Sequence, residues 1–172
     1  MYGIEANAFD GSANTPEYKN CQKQILKNAR RLAKALEDLG YGIVTGGTDN
    51  HLVVVNIGTK GIDAQTVLKV MEAVCISAGR HTRPDTITMG SLALTSRGFI
   101  EEHFAMVADF IDQAVSLALK IRNSCGSVVD DALMTILLKK NKEVEKQIQA
   151  LKGTILQYAS KFPQVGNNEQ KE

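Results

Sequence analysis

At 172 residues, with 44% apolar and 23% charged side chains, the chain has the mix of a soluble globular domain; without tryptophan, its core must be filled by aliphatic packing. A formal net charge of +1 gives no electrostatic reason to expect nucleic acid or an anionic membrane as partner, and no apolar run approaches the roughly 20 residues that span a bilayer. Met1 to Asn7 read as neither a secretory signal nor a transit peptide, and the three scattered cysteines, Cys21, Cys75 and Cys125, read as reduced thiols rather than a disulfide or metal framework.

In chain order, residues 1–14 read as a loose lead-in rich in Gly, Asn, Ala and Ser. Thr15-Pro16-Glu17 predicts a helix start: a hydroxyl cap, a proline in the first turn, an acid at the positive end of the dipole. Tyr18, Ile25, Ala29, Leu32, Leu36 and Leu39 then fall on one face, with Lys19, Lys23, Lys27, Arg30 and Lys34 opposite, and Gly40 ends the helix. Tyr41 to Thr45 reads as a short strand, Gly46-Gly47 as a turn, and His51 to Asn56 as a second, largely buried strand. Gly58 to Gly61 is expected to be a loop, and Asp63 to cap a helix running through Val74. Cys75 to Ser77 reads as a third short strand, residues 78–84 as irregular, and Thr86 to Met89 as another strand leading to Thr95-Ser96-Arg97-Gly98.

A second long helix is expected from about Ile100 to Arg122. Phe104, Val107, Ile111, Ala114, Ala118 and Ile121 form its inner face, and Glu101, Glu102, Asp109 and Asp112 its outer one. Asn123 to Gly126 breaks it, and two helices follow, about 128–139 and 142–162. The last carries a seam of Val144, Ile148, Leu151, Ile155, Tyr158 and Phe162, to be packed against a helix of this chain or of a partner. Residues 164–172 read as a polar tail. There is no internal repeat. The order of elements predicts an α/β or α+β fold: a small antiparallel or mixed sheet flanked by long helices, with extra helices at the C-terminal end.

No chemistry stands out in the residues themselves. The histidines, His51, His81 and His103, form no HxxxH or HxxE pair, so Asp49 and His51 do not suggest a metal site. No serine sits in a GxSxG turn. Gly46-Gly47 precedes a strand, whereas a phosphate-binding glycine loop opens a helix. The basic stripe on the first helix has no interleaved aromatics and reads as a solvated face.

Gly46-Gly47-Thr48-Asp49-Asn50-His51, however, closely resembles the GGTDNH signature of serine hydroxymethyltransferases. Thr15 to Lys19, Lys27 to Tyr41, Lys60 to Asp63, Val67 to Val74, Met89-Gly90, and Ala93 to Phe99 with Glu101-Glu102 resemble further stretches of that family, in the same order, closest in look to its eukaryotic, plant-like members. The resemblance runs from about Thr15 to Ile121 and thins towards Phe162-Pro163. It implies a pyridoxal phosphate enzyme of one-carbon metabolism that interconverts serine and glycine with tetrahydrofolate. It also implies that residues 15–163 correspond to the small C-terminal domain of a fold-type I enzyme, with 1–14 ahead of it and 164–172 behind.

The resemblance further implies what is altered. The family's coenzyme-binding lysine lies in a Thr-His-Lys context in its large domain, and no such triplet occurs here. No cofactor-binding residue and no metal ligand are therefore expected in this chain, and pyridoxal phosphate, the family cofactor, is not expected to bind it alone. The family's small domain supplies an arginine for the substrate carboxylate; here the matching context reads Ile87-Thr88-Met89-Gly90. Exchanging a bidentate guanidinium for one hydroxyl forfeits about 3 kcal/mol or more of carboxylate binding. The loop on the folate side is shorter and altered, its counterpart being Gly79-Arg80-His81 and the following residues to Asp85, and Ser91-Leu92 replaces a usual Thr-Pro. Gly46 to His51 and Arg97 are family landmarks without an assigned proton-transfer role. The expectation is a chain without catalysis of its own, working in the cytoplasm or in an organelle such as the mitochondrion. Its alternative role is an interaction module for a full-length serine hydroxymethyltransferase or a homo-oligomer. A weaker third reading is a binder of folate or an amino acid.

Overall fold

The structure, a computed structural model, describes residues 16–44, 46–126 and 129–163. The expected lead-in, the Thr15 cap and the polar tail lie outside the described residues. Helix α1 spans Pro16–Asp38, starting where the proline predicts. Ile25, Ala29, Leu32 and Leu36 of its apolar face are buried, while all five cations of the opposite stripe are exposed. The helix ends in a closed turn: Gly40, at φ +86, donates to Glu37 O, and Tyr41 N donates to Leu36 O. That pattern satisfies the last carbonyls and needs a left-handed residue, which glycine adopts without strain.

Four strands follow the order β1-β2-β4-β3, all antiparallel. They are β1 (Gly42–Ile43), β2 (Leu52–Asn56), β3 (Gly79–Arg80) and β4 (Thr86–Gly90). The 3-10 turn Ile57–Lys60 and helix α2 (Ala64–Ala73) join β2 to β3. Asp63 caps α2 as expected, its carboxylate accepting from Thr66 N at 2.7 Å. The sheet's central pair is registered with Val53 opposite Met89 and Val55 opposite Ile87. These four are buried under α1 and α2, whereas Leu52, Val54 and Thr88 point to the other side. β2 is thus an alternating, half-buried strand rather than a largely buried one, because among the described residues helices cover one face of the sheet only.

The expected strand at Cys75 to Ser77 is not formed; β3 lies a few residues later, at Gly79–Arg80. Cys75, at φ +65, donates to Glu72 O, and Ile76 N donates to Met71 O, so both amides are spent closing the end of α2.

A short helix α3 (Leu92–Thr95) follows β4 and leads into α4 (Glu101–Cys125), which packs across α1 and α2. Phe104, Ala108, Ile111, Ala114, Val115, Ala118 and Ile121 are buried there, each worth very roughly 1–3 kcal/mol for the larger apolar side chains. Two of the expected outer-face acids are engaged instead: Asp112 accepts from the Tyr41 hydroxyl at 2.8 Å, and Glu101 from Gln24 at 2.8 Å. The helix runs on to Cys125 and stops at Gly126, φ +67. Helices α5 (Asp131–Lys140) and α6 (Lys142–Ala159) follow. The seam expected on α6 buries Val144, Ile148, Leu151 and Ile155 against α2, α4 and α5, so its partner is within this chain. No described helix is long and apolar enough to cross a membrane.

Candidate functional site

The landmark turn is built by its own side chains. Gly46 and Gly47 have φ of +65 and +151. Thr48 Oγ1 donates to Leu52 O at 2.6 Å, and the Asn50 side-chain oxygen accepts from Leu52 N at 2.7 Å. Both bonds bend the chain into β2, the role for which small polar residues suit such a turn. Arg30 on α1 holds the outside, its Nε donating to Thr48 O at 3.4 Å and its guanidinium 3.7 Å from the Asp49 carboxylate. Asp49, Asn50 and His51 are exposed. His51 contributes through its backbone, since its carbonyl accepts from Ser91 N at 2.9 Å. Among the described residues no three His, Cys, Asp or Glu side chains converge in a metal-binding arrangement.

Ser91 ties this turn to the end of β4. Its side chain is fully buried, and its hydroxyl is within 2.9 Å of Ile25 O on α1 and 3.4 Å of His51 O. The next residue, Leu92, is half exposed.

Thr88 lies three residues before Ser91, within β4, on the uncovered face of the described sheet. Its register neighbours are Val54 on β2 and Gly79 on β3. Leu52 and Gly90 are paired further along the same face. Alternation along β4 explains the placement: Ile87 and Met89 enter the core, so the residue between them must leave it. The Thr88 side chain is half-buried on this face. The face offers one hydroxyl, two aliphatic side chains and bare glycines, with no ammonium, guanidinium or carboxylate among these five residues.

Of the residues singled out beside Thr88, Gly79 and Arg80 are strand rather than loop. Arg80 pairs with Ile87, one register step from Thr88, and so lies on the opposite face of the sheet. It cannot substitute for a cation at Thr88. His81 closes the hairpin, its N donating to Thr86 O at 3.2 Å and its Nδ1 accepting from Arg83 N at 3.2 Å. The structure therefore pairs Thr88 with Gly79 across two strands and ties the 46–51 turn to Ser91 just beyond the ends of β2 and β4. Arg97 is elsewhere: it donates to the carbonyls of Ala159, Phe162 and Pro163 and clamps the end of α6.

Asn28 and Ser91 are organising residues that periodicity did not single out. The fully buried Asn28 donates to Thr95 Oγ1 and Phe99 O, both at 2.8 Å, fastening α1 to the turn after α3. The available signal was an amide set inside the apolar face of α1, between Ile25 and Leu32.

Residues 1–111 match the family model described as serine hydroxymethyltransferase, a match that starts ahead of Thr15. Among curated proteins, the chain is 36% identical over 162 residues to "Serine hydroxymethyltransferase, cytosolic" of Oryctolagus cuniculus, covering 90% of this chain and 34% of that protein. It is 43% identical over 126 residues to "Putative serine hydroxymethyltransferase, mitochondrial" of Neurospora crassa, covering 65% and 23%. It is 32% identical over 160 residues to "Serine hydroxymethyltransferase 3, chloroplastic" of Arabidopsis thaliana, covering 88% and 30%. The chain spans about a third or less of the length of these relatives.

Proposed function

The chain belongs to the serine hydroxymethyltransferase family, and on that premise we propose that residues 15–163 act as the family's small C-terminal domain without interconverting serine and glycine by themselves. One observation carries this reading: the position that the resemblance aligns with the carboxylate-binding arginine is Thr88, on the open face of the sheet beside Val54 and Gly79. A threonine there carries no charge, and its side chain lies on the uncovered face of the described sheet. A single neutral hydroxyl leaves a substrate carboxylate short of a charge-assisted bidentate pair.

The donor set does not fit pyridoxal phosphate either. Among the five described residues of Thr88's face there is no amine to hold an aldehyde and no carboxylate to face a ring nitrogen. The described lysine ammoniums with a defined partner are spent locally: Lys60 donates to Leu39 O, Lys34 pairs with Asp38, and Lys69 pairs with Glu72. The folate-side counterpart, Gly79 to His81, is tied up as a hairpin, which supports weak folate contact at best.

The test is direct. The purified chain, given pyridoxal phosphate, serine and tetrahydrofolate, is expected to show neither the visible absorbance of a bound coenzyme nor serine-dependent turnover, and calorimetry with glycine is expected to show no heat. Absorbance together with turnover would overturn the reading.

A second reading is favoured by the same open face. Leu52 is 39% exposed on it, next to half-buried Val54, which is apolar surface available to a full-length family member or a second copy. Co-purification and mass measurement with a full-length serine hydroxymethyltransferase test it; a chain that stays monomeric in that mixture is evidence against it.

A further inference from the structure

On the helix side of the sheet, away from Thr88, a cavity of about 620 Å³ opens between the end of β4, α3, α4 and α6. That volume falls within the range of about 300–1,000 Å³ usual for sites that take small organic ligands. Its walls are aliphatic and aromatic. Phe99 meets Phe104 at 6.2 Å and Tyr158 at 6.3 Å, and Phe110 meets Tyr158 at 5.4 Å, all edge to face. Such mutually braced rings hold a preformed apolar surface.

Arg97 stands in the lining of this cavity. Its Nε donates to Pro163 O at 3.1 Å, and one Nη donates to Ala159 O at 2.8 Å and Phe162 O at 3.3 Å. All three acceptors are neutral carbonyls. No carboxylate among the described residues forms an ion pair with Arg97, and its second Nη has no hydrogen-bond partner among them. The negative end of the α6 dipole offsets part of the charge, but only part. A guanidinium fixed by a helix end, half-buried beside an apolar cavity, is matched by an anion whose remaining bulk is apolar.

We propose that this cavity is a binding site for an amphiphilic monoanion of the fatty-acid type, its chain lying against Phe99, Phe110 and Tyr158 and its carboxylate accepting from Arg97. Met89 and Thr88 alternate across β4, so this site and the open face share a strand but not a surface. A ligand here therefore does not compete with anything that meets Thr88.

Calorimetric titration of the full chain with decanoate, with neutral decanol in parallel, tests the proposal. Decanoate is expected to saturate at one site per chain. Arg97→Gln is expected to weaken decanoate roughly tenfold or more while leaving decanol unchanged, the difference set by one charge-assisted hydrogen-bonded pair. Ala93→Trp, at an exposed position of the cavity's rim, is expected to abolish binding of both. Because the rim position is exposed, the fold survives that change, and a circular dichroism melt checks it. Failure of decanoate to saturate on the wild-type chain overturns the proposal, and so does undiminished binding in Ala93→Trp.

Discussion

Tyr41 shows how one side chain can couple three elements. It is 3% exposed, its hydroxyl donates to Asp112 on α4, and the Lys60 ammonium sits 4.5 Å from its ring centroid. Burial first, and then the hydrogen bond and charge of Asp112, push the phenol far above its ordinary value. The folded state therefore binds this proton more tightly than the unfolded chain. The corresponding stability is fully present below the unfolded value of about 10 and is lost as pH rises beyond it. Urea unfolding at pH 8 and pH 11 is expected to show the wild-type chain losing more stability than Tyr41→Phe, which lacks the titrating group; equal losses would remove Tyr41 from the account. The sequence placed Asp112 among solvated acids because helical period marks a face, not the tyrosine that a distant turn delivers to it. Thr88 had the reverse fate: the sequence marked it only through a resemblance, and β-alternation put it outside the core.

Three helices end in the same closed turn. Gly40-Tyr41 after α1, Cys75-Ile76 after α2 and Gly98-Phe99 after α3 each donate two amides back to the last turn. The residue in the left-handed position has φ of +86, +65 and +90 respectively. Two of the three are glycines. Cys75 bears a side chain in a conformation that costs an L-residue about 1–2 kcal/mol. It is exposed, so replacing it leaves no core void. Cys75→Gly is expected to raise stability by about 1 kcal/mol, less whatever freedom glycine returns to the unfolded chain. Chemical denaturation midpoints measure this, and a destabilised variant would mean that the cysteine side chain makes a contribution larger than its backbone strain. Glycine signals such an end in advance; cysteine does not, which is why a strand was expected at 75–77.

At the scale of the molecule, the C-terminal helices are part of the same core as the sheet. Ile148 is 1% exposed between α6 and its neighbours, whereas Leu156, off the seam of the same helix, is 48% exposed. Ile148→Ala is expected to cost about 2–4 kcal/mol, and Leu156→Ala about 0.5 kcal/mol or less. Equal effects in thermal melts would show that α6 is not docked as described. The spacing of Val144, Ile148, Leu151 and Ile155 made the seam legible but left open whether this chain or a partner would cover it. Only the arrangement of α2, α4 and α5 answered that.

By itself, the sequence determined where most helices begin and end, which stripe of each turns inward, and which family signature lies in the turn at 46–51. These depend on local period, caps and residue chemistry, all carried within a few turns of chain. Tertiary structure alone decided that β4 pairs with β2 across thirty residues, that the described helices cover one face of that sheet, that Arg80 lies on the opposite face to Thr88, and that Arg97 clamps a helix more than sixty residues away. Strand register and helix docking are settled by long-range contacts formed together, and no short window of sequence contains both partners.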